Sequence, residues 1–105
     1  MSDWKETISQ KFAAINARRA EIHKPLYALV QELSRESSIR EADLELVSEH
    51  PLIWSVSING RVVQISENDV DLAQRIYNEP FDSSISEDRK DITEALKELL
   101  VQKFQ

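Results

Sequence analysis

Residues 52–65 read Leu52-Ile-Trp-Ser-Val-Ser-Ile58, then Asn59-Gly60, then Arg61-Val-Val-Gln-Ile65. Asn-Gly between alternating apolar residues is the strongest short-range signal for a β-hairpin, because a type I′ turn needs positive φ at both central positions. A two-residue loop also sets the register, with Ile58 opposite Arg61, Val56 opposite Val63 and Trp54 opposite Ile65. Those pairs share one face, while Ser57/Val62 and Ser55/Gln64 share the other. The face bearing Trp54, Val56, Val63 and Ile65 requires a helix to cover it. Upstream, residues 42–47 alternate Ala42, Leu44 and Leu46 with Asp43 and Glu45, the pattern of a half-buried strand, and His50-Pro51 breaks it. The three segments form an antiparallel meander over 42–66.

Ahead of the meander lies a long apolar seam. Ile8, Phe12, Ile15, Arg19, Ile22, Leu26, Leu29 and Leu33 alternate steps of four and three, the a/d spacing of a helix packed along its length against another helix. A helix from Asp3 to Ser34 is roughly 45 Å long at 1.5 Å per residue. A compact chain of this size should have a radius of gyration of only about 13 Å. The excess predicts burial against a second copy, with Ile8, Phe12, Ile15, Arg19, Ile22 and Leu26 as the dimer interface. Arg19 would be the polar residue that sets register within that seam, and Glu21 or Glu32 of the facing helix would neutralise it. Pro25 removes one helical hydrogen bond, yet the seam keeps phase through it, which favours a kinked continuous helix over two.

After the meander, Ser66-Glu-Asn-Asp69 opens a short helix with Val70, Ala73, Ile76 and Tyr77 on one side, stopped by Asn78 and Pro80. Residues 81–86 read as a loop. A last helix is expected from Ser86, with Glu87 and Asp88 in its first turn and Ile92, Leu96, Leu99, Leu100 and Phe104 as its stripe. The expected fold is therefore one α+β domain over residues 1–105. It comprises a long helix (1–34), the β-meander (42–66) and two helices (67–78 and 86–104).

Composition narrows the function. With 41% hydrophobic and 30% charged residues the chain is globular in character. No apolar run nears the ~20 residues that cross a bilayer, and the amino terminus has no signal-peptide core, which together predict a cytoplasmic protein. Zero cysteines exclude disulfides, thiolate nucleophiles and Cys-type zinc sites. A single glycine leaves no phosphate-cradling loop, so no cofactor is expected.

The histidines, His23 and His50, are the obvious general bases, but neither sits at triad or helical metal-ligand spacing, so no catalytic or metal site is expected. The net charge of −6 is uneven. Residues 1–30 carry five basic and three acidic side chains, and the remainder eight basic and sixteen acidic.

An acidic body disfavours phosphate binding and suits a basic protein partner. Glu41, Asp43 and Glu45 would project from one strand face about 7 Å apart, and Phe81 would stand in the loop after Pro80. These four form the candidate partner contact. The alternative is a nucleic-acid-associated regulator using Lys11, Arg18 and Lys24 of the first helix. In size and layout the chain resembles small dimeric secretion chaperones and toxin-immunity or anti-defence inhibitors. That outline implies a non-enzymatic binding role, and with no shared motif it assigns no functional residue.

Overall fold

The computed structural model describes residues 3–77 and 85–105. It is an α+β arrangement of a long amino-terminal helix, a three-stranded antiparallel sheet and two carboxy-terminal helices, with a second, two-stranded sheet between those helices. Helix α1 (Trp4–Leu33) runs without interruption through Pro25. Asp3 caps its start, its carboxylate accepting a hydrogen bond from the Lys5 N–H at 3.0 Å. The main sheet has the order β1 (Ala42–Glu49), β2 (Leu52–Ile58), β3 (Arg61–Ser66).

The hairpin register is the one its two-residue turn dictates: Ile58 pairs with Arg61, Val56 with Val63, and Trp54 with Ile65. Asn59 and Gly60 have φ of 50° and 84°, the positive values a type I′ turn requires. Strand β1 alternates as its sequence does, with Ala42, Leu44 and Leu46 half-buried and Asp43, Glu45 and Val47 exposed. A bulge between Leu46 and Ser48 shifts its pairing with β2.

One core unites these elements. Ile22, Leu26, Leu29 and Val30 of α1 pack in a cluster with Leu52, Trp54, Val56 and Ile65 of the sheet. Val70 from α2 (Glu67–Gln74) and Leu96, Leu99 and Leu100 from α3 (Ile92–Lys103) complete it. Trp54, Val56 and Ile65 are fully buried, so the apolar face of the hairpin has the helical cover it requires. Among the described residues no buried side-chain polar atom lacks a hydrogen-bond partner.

The carboxy-terminal boundaries differ from the sequence expectation. The Ser66–Asp69 capping box starts α2 as expected, but the helix ends at Gln74 instead of reaching Asn78. Residues 75–77 become β4 (Arg75–Tyr77), antiparallel to β5 (Ile85–Arg89). The pivot is Gln74, which is 5% exposed. Its carbonyl accepts from the Lys90 N–H at 2.8 Å, and its side-chain amide donates to the Lys90 carbonyl at 3.2 Å. These bonds tie the end of α2 to the residue that follows β5. Ser86 lies within β5, and α3 begins at Ile92. Asp91 is its cap, accepting from the Thr93 and Glu94 N–H groups at 3.1 and 3.3 Å. Among the described residues no helix is long and apolar enough to cross a membrane.

Candidate partner-binding surfaces

The sheet has a covered face and an open one. On the open face β1 presents Asp43 and Glu45, opposite Ser57 and Ser55 of β2, which in turn pair with Val62 and Gln64 of β3. Glu41, Asp43 and Glu45 are all exposed, and no cation pairs with any of them among the described residues.

Several other acids of the body are matched by nearby cations. Glu49 meets Arg19 at 3.5 Å, Glu98 meets Lys90 at 2.9 Å, Glu94 meets Lys97 at 3.3 Å and Asp69 meets Lys103 at 3.3 Å. The β1 row therefore carries uncompensated charge along a sheet edge.

Asn59 fixes where that row begins. Its side-chain oxygen accepts from the N–H groups of Arg40 (2.7 Å) and Glu41 (3.2 Å), and its amide donates to the Ser38 carbonyl at 3.0 Å. The sequence marks Asn59 only as a turn residue. Its second task, tying the α1–β1 connection to the hairpin, depends on strands 18 or more positions apart in the chain coming together. Phe81, the fourth candidate contact, lies outside the described residues.

A second surface is the amino-terminal half of α1. Trp4, Ile8 and Phe12 are 68%, 45% and 49% exposed. The proposed dimer seam is thus divided. Ile22 and Leu26 are fully buried within the chain's own core, which removes them from any interface between copies. Ile15 is half-buried against that core, while Ile8 and Phe12 stay about half exposed. Arg19 has a carboxylate within its own chain, Glu49 at 3.5 Å. Phe12 meets the edge of the His50 ring, centroids 5.5 Å apart, where the β1–β2 turn reaches the helix.

Of the basic residues proposed for the first helix, Arg18 is engaged in structure, while Lys11 and Lys24 are exposed. The Arg18 guanidinium bonds Asp71 at 2.6 Å, Glu21 at 2.8 Å and the Gln74 side-chain oxygen at 3.1 Å, clamping α1 to α2. His23 accepts the buried Trp54 indole N–H on Nδ1 at 3.1 Å and stacks with Tyr27. That bond requires Nδ1 to be the unprotonated nitrogen. At Asp69, burial pushes the carboxyl pKa up. The Ser66 backbone N–H and the Lys103 ammonium outweigh it and hold the group below its ordinary value. Among the described residues no three His, Cys, Asp or Glu side chains converge as a metal site. Comparison with known proteins finds no matching family, no matching curated sequence and no matching solved structure.

Proposed function

We propose that this chain is a small non-enzymatic binding protein, an inhibitor or chaperone-like adaptor of the cytoplasm. It engages a basic protein partner through Glu41, Asp43 and Glu45. The observation that carries the reading is three exposed carboxylates close together with no cation paired to any of them among the described residues, where Glu49, Asp69, Glu94 and Glu98 each have one. Asp43 and Glu45, about 7 Å apart along β1, and Glu41 just before the strand sum into a local negative field that steers a cationic surface and raises its association rate. The neighbouring Ser55 and Ser57 add hydroxyls without bulk, so a partner can lie flat on the open face. Arg18 is occupied by Asp71 and Glu21, which weakens the alternative of phosphate binding from the first helix.

The test is the variant Glu41→Gln, Asp43→Asn, Glu45→Gln, compared with the parent as immobilised bait. A partner held by the parent at low salt should be lost from the variant. Its association rate with the parent should fall as salt rises, because exposed charges are screened beyond ~8 Å at physiological ionic strength. Equal capture and equal association rates at low salt would make the row an ordinary solvated strand face.

A further inference from the structure

The stripe that enters the core at Ile22 continues in phase to Ile8, with Trp4 one turn beyond it, yet the chain covers only its inner part. We propose that the overhanging half of α1 is a self-association element, on which a second copy of this chain packs antiparallel with the crossing centred on Ile8. This pairing uses none of the carboxylates of the β1 row, so it is tested independently of the partner reading.

Charge favours a second copy as the occupant. Between residues 3 and 17 the chain carries Lys5 and Lys11 against Asp3 and Glu6, a net charge of zero, so residues 18–105 hold the whole −6. Two acidic molecules repel wherever their bodies meet. The neutral overhang, which also displays Trp4, Ile8 and Phe12, is where they can approach without that penalty.

Geometry sets the direction. The residues from Trp4 to Ile15 span about 18 Å of helix. A parallel partner would bring its own acidic body alongside the first, on the side of the helix where the sheet and the His50 turn already lie. An antiparallel partner places the two bodies at opposite ends of the paired helices, well beyond the ~8 Å screening length. Centred on Ile8, it sets Phe12 of each copy against Trp4 of the other. The partner helix then ends near Ile15, where the chain's own core begins to take over the stripe.

Area sets the strength. Tryptophan and phenylalanine bury about 150–250 Å² each, and Trp4 and Phe12 are 68% and 49% exposed. Two copies therefore bring several hundred Å² of apolar surface, the low end of specific interfaces. A contact of this size belongs with the weak, transient interfaces, so dissociation should fall at micromolar concentration or above.

Sedimentation velocity of the full chain across the micromolar range should show a concentration-dependent dimer. Phe12→Asp and Ile8→Asp should each raise the dissociation constant at least ~100-fold by placing a charge in the apolar contact. If Phe12→Asp fails to fold for want of its His50 contact, Ile8→Asp, whose side chain lies further out, carries the test, with unchanged circular dichroism as the control. Orientation is read from introduced cysteines, since the chain has none of its own. A disulfide needs Cα atoms within about 4.4–6.8 Å. Ile8→Cys should therefore link to itself, and Trp4→Cys should link to Phe12→Cys but not to itself. Rapid self-linking of Trp4→Cys would overturn the antiparallel direction. A parent that stays monomeric throughout, or a folded Ile8→Asp variant that still dimerises, would overturn the proposal as a whole.

Discussion

The two halves of α1 carry one stripe and meet two fates. Ile22, Leu26, Leu29 and Val30 are buried in the core with the sheet and α3, whereas Trp4, Ile8 and Phe12 face solvent. Nothing in the residue types separates them: isoleucine recurs in both halves, and the more exposed half holds the larger aromatics. The difference lies in what stands opposite. The radius of gyration of 16.5 Å exceeds the compact expectation of about 13 Å, in keeping with a helix that outruns the sheet it covers. Periodicity reports that a face wants burial. It does not report where the burying surface stops.

The contrast is broken most severely from within. Leu26→Ala empties a fully buried position and should cost about 2–5 kcal/mol, the range for large-to-small core changes, read by urea denaturation. A loss under 1 kcal/mol would mean the inner half is not packed as described.

His23→Leu is the next largest. It strips the acceptor from the Trp54 indole, leaving a buried donor unpaired at about 1–3 kcal/mol. The same change in a Trp54→Phe background should cost much less, and a double-mutant cycle with no coupling would sink the assignment. Gly60→Val acts on the sheet that the inner half covers. No atom lies within 4 Å of the added Cβ, so the penalty is the backbone cost of positive φ alone, about 1–2 kcal/mol. A parent-like thermal melt would be incompatible with the turn.

Acid should act more gently. The Asp69 carboxyl sits below its ordinary value of 3.8, so its contribution is complete above that pH and is lost as pH falls through and below it. The stability gap between parent and Asp69→Asn should therefore be larger at pH 7 than at pH 3. A gap that stays constant would show that the Ser66 and Lys103 contacts do not hold the carboxylate.

The smallest effect sharpens the comparison from the other side. Ile8→Ala, measured at concentrations low enough to keep the chain monomeric, should change stability by no more than ~0.5 kcal/mol, as is usual for surface positions. A loss comparable to Leu26→Ala would mean the outer half is covered after all.

Local chemistry decided a good deal by itself. The Asn59-Gly60 turn, the pairing of Trp54 with Ile65, the alternation of β1, the capping box at Ser66 and the continuity of α1 through Pro25 were all legible. Each depends on neighbours within a few residues: a φ sign, a period of two or of 3.6, a cap three positions ahead. What lay beyond the sequence depended on groups far apart in the chain. Gln74 ends α2 because Lys90 reaches it from 16 positions away. Glu41 is set in place by Asn59, Arg18 is held between α1 and α2, and Arg19 meets Glu49 across the fold. The division of the α1 stripe belongs with these. A helix can specify which of its faces is apolar, but the length of that face left uncovered is fixed by the size of the sheet that folds against it.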